Sequence, residues 1–157
     1  MAASKKSNPE LERAMRDSLK AYAAGDKRFF GYLSSDVRVY SLNSAEPIVG
    51  RKAFESAFAP TFQTKRKVSI LKKDIQLSDR QAVLSQTLQV TVDGVDSFMR
   101  QTVIWEQSDK GEWQMSHIHN ALVGQPVLSG KTPKTANAVR VLNERIATVA
   151  ATLGVAQ

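Results

Sequence analysis

The chain has 157 residues, 42% of them hydrophobic, which is enough for one domain with a real core and too apolar for wholesale disorder. It holds no cysteine, and this excludes disulfides, thiol nucleophiles and thiolate metal ligands together. The formal charge of +7 raises the question of nucleic acid, but no apolar run reaches membrane-spanning length and no hydrophobic signal segment follows the basic start at Met1–Lys6. A cytoplasmic protein with no membrane partner is the economical expectation, with organelle import left open.

Asn8 can cap a helix whose first turn holds Pro9, Glu10 and Glu12. The proline has no amide hydrogen to leave unbonded, and the acids face the positive helix end. Leu11, Met15, Leu19 and Tyr22 then recur at helical spacing. Gly25-Asp26 ends this helix and can cap a short second one over 27–33, with Phe29, Phe30 and Leu33 as core anchors. Ser34-Ser35-Asp36 reads as a turn before a β-prone Val37–Tyr40, and residues 41–50 read as loop. Phe54 and Phe58 predict a further short helix over Arg51–Phe58, stopped by Pro60.

From residue 67 the dominant period changes to two. Lys67–Leu77, Gln81–Val92, Ser97–Gln107 and Glu112–Leu122 read as strands joined at Ser78-Asp79, Asp93-Gly94 and Asp109-Lys110-Gly111. No connector in this half has room for a crossover helix, which disfavours parallel units. Strands this long must twist. The predicted fold is therefore α+β: a curved antiparallel sheet wrapped as a cone around the N-terminal helices, with a pocket between them. Residues 124–130 read as a linker. Thr132-Pro133 can open, and Gly154 close, a C-terminal amphipathic helix striped by Leu142, Ile146, Val149 and Leu153, packed on the parent domain or on a partner subunit.

This order of elements carries Tyr22-Ala23-Ala24-Gly25-Asp26, Ser35-Asp36-Val37, Gly50-Arg51-Lys52-Ala53-Phe54, and a hairpin from Thr102-Val103-Ile104-Trp105 to Trp113–His119. Together they resemble the SnoaL-like domains of the nuclear-transport-factor-2-like superfamily, close to the calcium/calmodulin-dependent kinase association-domain branch. The resemblance covers residues 9–123 and leaves 124–157 outside. It implies a cone-shaped barrel with a pocket at its open end, assembled as a homodimer or larger. Members include isomerases, dehydratases, cyclases, small-molecule binders and structural oligomerisation domains, so the fold leaves the activity open.

His117 and His119 stand at i and i+2, on one strand face with Trp113 and Met115. Such a pair can ligate a metal or act as a base, but no third histidine exists and no acid stands at an obvious position, so no metal is expected. The resemblance turns the alternate face, Ser116, Ile118 and Asn120, into the cone and His117 and His119 outward to an interface. One strand earlier, Met99, Gln101, Val103 and Trp105 share a face and are expected on the pocket wall. Arg100 lies opposite, as an anchor for an anion or a surface cation. A kinase association domain of the resembled branch has arginines where Asn120 and Val103 stand, which argues against transferring its carboxylate-binding pocket.

The superfamily's isomerases pair a tyrosine donating to an enolate oxygen with a carboxylate base. Tyr22 and Tyr40 therefore join His117 and His119 as catalytic candidates. The acids sit in turns and at helix ends, and the dehydratase branch's Asp–His dyad is not evident. Aromatic residues do not interleave with Lys65-Arg66-Lys67 and Lys72-Lys73, as stacking of single-stranded bases requires, so nucleic acid is not the expected partner. The expectation is a homodimer that binds a small, mainly apolar molecule without a cofactor, with isomerase, dehydratase or cyclase activity open. A non-enzymatic dimerisation module and a weak nucleic-acid or anion binder are the alternatives.

Overall fold

The computed structural model describes residues 7–42 and 45–124; the expected C-terminal helix lies outside them. Helix α1 spans Pro9–Ala24, and the Asn8 side-chain oxygen accepts from the Leu11 amide at 3.0 Å. Gly25 ends it at φ 68°, in the left-handed region where a Cβ is disfavoured. A Cβ there would also stand 2.8 Å from the Phe62 carbonyl oxygen, so glycine serves both the turn and the close approach of α2. Asp26 caps a 3-10 helix over Lys27–Tyr32.

Helix α2 runs Arg51–Phe62, one turn beyond the expected stop at Phe58, with Pro60 inside it. Pro60 is exposed, so the carbonyl it leaves without a helical partner can face water. The extra turn buries Phe62 beside Phe54 and Phe58 at four-residue spacing. Arg66 then donates to the Thr61 and Phe62 carbonyls at 3.1 and 3.2 Å. Burial of one phenylalanine, at about 1.5–3 kcal/mol, together with these bonds offsets the roughly 3 kcal/mol cost of an interior proline.

The strands are β1 (Leu33–Tyr40), β2 (Ile48–Val49), β3 (Lys67–Leu77), β4 (Gln81–Val92), β5 (Val95–Gln107) and β6 (Trp113–Val123). Their order in the single sheet is β2-β1-β6-β5-β4-β3. The sheet curls around the helices but does not close, so the expected barrel is an open six-stranded sheet edged by β2 and β3. Nor is it wholly antiparallel, because β1 pairs with β6 in parallel. The crossover between those two strands is nearly the whole domain, which is why no local connector predicted it.

Two bulges set which side chains face the helices. Leu71 is the extra residue in β3, between Ile70 paired with Leu88 and Lys72 paired with Thr87. Ser116 is the extra residue in β6, between Met115 paired with Trp105 and His117 paired with Ile104. Each bulge shifts the inward parity by one and adds local bend.

The core joins α1, α2 and the concave sheet face. Tyr22, Phe29, Phe30, Phe54, Phe58 and Phe62 form its aromatic part on the helical side, and Trp105 and Trp113 join from the sheet. The Arg66 guanidinium stands 4.6 Å from the centre of the Tyr22 ring and donates to the Tyr22 carbonyl at 2.9 Å, tying the end of α1 to that of α2. No described helix is long and apolar enough to cross a membrane.

Candidate functional site

A cavity of about 300 Å³ lies between α1, α2 and the concave face of the sheet. Its walls are chiefly apolar. Met15 and Leu19 come from α1, Phe54 and Phe58 from α2, and Leu84, Leu88, Met99, Val103, Trp105, Met115 and Ile118 from the sheet. The exposed lining residues Arg16 and Lys20 of α1, and Ile70 and Lys73 of β3, mark its mouth.

Across this apolar face runs one polar row. Lys73 pairs with Gln86, Gln86 with Gln101, and Gln101 with Asn120, each on the next strand, and all four line the cavity. Gln86 Nε2 donates to Gln101 Oε1 at 2.8 Å, and Gln101 Nε2 donates to Asn120 Oδ1 at 2.9 Å. Two bonds cannot use every donor and acceptor of three amides, so the row keeps hydrogen-bonding capacity on the cavity side.

Two further donors are unused. The Tyr22 hydroxyl and the Trp105 indole nitrogen are buried without a hydrogen-bond partner among the described residues, and both residues line the cavity. Burial pushes the Tyr22 hydroxyl up to about 12, against a smaller opposing pull from the Arg66 charge. Tyr22 is thus a neutral donor at physiological pH. A buried donor without a partner is costly.

The residues singled out in the sequence divide between two sheet faces. Tyr22, Met99, Gln101, Val103, Trp105, Ile118 and Asn120 line the cavity. Ser116 does not: it occupies the bulge, with its hydroxyl 3.4 Å from the Ile104 carbonyl, and Met115 takes the inward place. Strict alternation had put Met115 with the histidines; the bulge separates them. His117 and His119 lie on the outer face against Tyr40, with ring centres 5.2 and 5.9 Å from it. Arg100 is exposed on that outer side. The four catalytic candidates therefore do not converge, since Tyr22 alone among them lines the cavity.

Among the described residues, no aspartate, glutamate or histidine lines the cavity, and no group of three or more potential metal ligands occurs. Sequence reasoning missed Lys73, Gln86, Arg16 and Lys20. Gln86 had a signal, as the polar member of the apolar series Ala82, Leu84, Leu88 and Val90. Lys73 had none, because only the bulge at Leu71 turns it inward.

A family model described as a SnoaL-like domain matches residues 11–123. Among solved structures, an NTF2-like protein of unknown function from Pseudomonas putida KT2440 superimposes with a TM-score of 0.66 at 14% identity, over 80% of this chain and 92% of that one. A candidate ketosteroid isomerase from Parabacteroides distasonis gives 0.65 at 15%, over 79% and 96%. The CaMKII hub of S. rosetta gives 0.62 at 18%, over 75% and 99%. At these identities the likeness is one of fold. No curated protein sequence matches the chain.

Proposed function

The chain belongs to the SnoaL-like domain family, and from that premise we propose that it binds a small, mainly apolar molecule carrying at least one acceptor oxygen. One observation carries this reading: an apolar cavity of about 300 Å³ is crossed by an amide row with spare hydrogen-bonding capacity. Binding is favoured over proton-transfer catalysis. Among the described residues no carboxylate or histidine lines the cavity to abstract a proton from carbon. N-phenyl-1-naphthylamine, a neutral apolar fluorophore, tests the reading. Its emission should rise and saturate with protein, and Val103→Phe, which fills the cavity, should abolish this while the fold persists by circular dichroism. No saturable emission, or equal emission with the variant, would sink the proposal.

A second reading is a non-enzymatic assembly module, favoured by the likeness to a hub domain and by the outer face that carries Tyr40, His117 and His119. On this reading the chain is a homodimer through that face. Sedimentation of wild type against His119→Glu tests it: wild type should run at twice the chain mass and the variant at the chain mass. A monomeric wild type would refute it.

A further inference from the structure

The polar row and the bulge beside it specify the ligand more closely. In a regular β3, inward parity through Val68 and Ile70 would continue to Lys72. The bulge at Leu71 advances it instead, so that Lys73 lines the cavity while Lys72, paired with Thr87, faces away. Lys73 then heads the row that continues through Gln86, Gln101 and Asn120. From the opposite side α1, which packs against β3, contributes Arg16 and Lys20, four residues apart on one helical face. Lys20 also borders a neighbouring recess with Asp17 and Asp26, so Lys73 and Arg16 carry most of the argument.

Among the described residues, the lining of the cavity thus has three cationic side chains at its mouth and no carboxylate. An apolar body with one negative group at its end is complementary to that distribution. We propose that the ligand is an amphiphilic monocarboxylate, with its apolar body against Leu84, Val103 and Ile118 and its carboxylate at the mouth between Lys73 and Arg16. The charge comes from α1 and β3. It owes nothing to positions 103 and 120, which hold Val103 and Asn120.

The inference rests on the cavity being a binding site, and the experiment separates the two. Decanoate and 1-decanol, with the same chain and different heads, compete for N-phenyl-1-naphthylamine at pH 7.5, where the carboxylate is ionised. Exposed charge pairs are individually modest, so decanoate should displace the probe about fivefold to tenfold better than decanol in low salt, and the preference should shrink as salt rises. Lys73→Gln should remove most of this preference. Lys72→Gln, one residue away but facing outward, should leave it intact.

Equal competition by the two heads would overturn the monocarboxylate while leaving the binding site standing. So would equal losses in the Lys72 and Lys73 variants, which would trace the preference to the protein's overall positive charge. Failure of the probe itself to bind would remove the site and this inference with it.

Discussion

Arg66 is the group whose removal tests the packing argument most directly. It is 6% exposed, and its guanidinium donates to the carbonyls of Tyr22, Phe62 and Thr61 at 2.9, 3.2 and 3.1 Å. It also covers the Tyr22, Phe58 and Phe62 rings at 4.6, 5.4 and 5.6 Å. Arg66→Met keeps much of the apolar contact and removes every donor. Each lost bond contributes roughly 1 kcal/mol net, after the cost of desolvating the guanidinium is counted. The expected destabilisation is therefore about 3 kcal/mol, or about 10 °C in Tm for a domain of this size. Thermal and urea melts followed by circular dichroism measure it. Arg66→Lys, which keeps the charge but not the planar fork, should recover less than half. A drop of under about 3 °C in the methionine variant would refute the claim that this side chain joins the ends of α1 and α2.

Three other outcomes follow from the same contacts. Because the Tyr22 hydroxyl is raised to about 12, its contribution is full below the unfolded value near 10 and is lost as pH climbs through 10 to 12. Wild type should thus lose roughly 2–3 kcal/mol over that window, whereas Tyr22→Phe should lack this alkaline limb and gain about 1 kcal/mol at pH 7 by removing the unpartnered hydroxyl; urea melts across pH would expose a parallel decline as an error. Gly25→Ala meets both the positive φ and the Phe62 carbonyl, and should cost about 2 kcal/mol or more in chemical denaturation; a neutral variant would contradict the close approach. Gln101→Leu cuts both bonds of the amide row and should cost about 1–3 kcal/mol, with Gln86→Leu, at the end of the row, costing less. The reverse order in melts would show that the row is not the unit drawn here.

Much of the architecture was legible because its causes are local. Asn8 and Gly25 bound α1, apolar spacing marks the helices, and period-two runs give the four long strands within two residues of their observed ends. The wall of β5 was legible too, since Met99, Gln101, Val103 and Trp105 alternate in an unbroken register. α2 was read one turn short because Pro60 is a local signal, whereas burial of Phe62 and the Arg66 bonds are long-range effects that override it.

The feature that decides the cavity's chemistry is not local at all. A bulge is a mismatch between two strands and carries no mark in either one alone. It exists at Leu71 because β3 meets β4 in a particular register, and at Ser116 because β6 meets β5 in another. The sequence by itself determined that the fold is α+β, with helices against a long-stranded sheet. Pairing between the strands determined that Lys73 and Met115 face the cavity, that Ser116 does not, and that the two histidines stand outside it beside Tyr40.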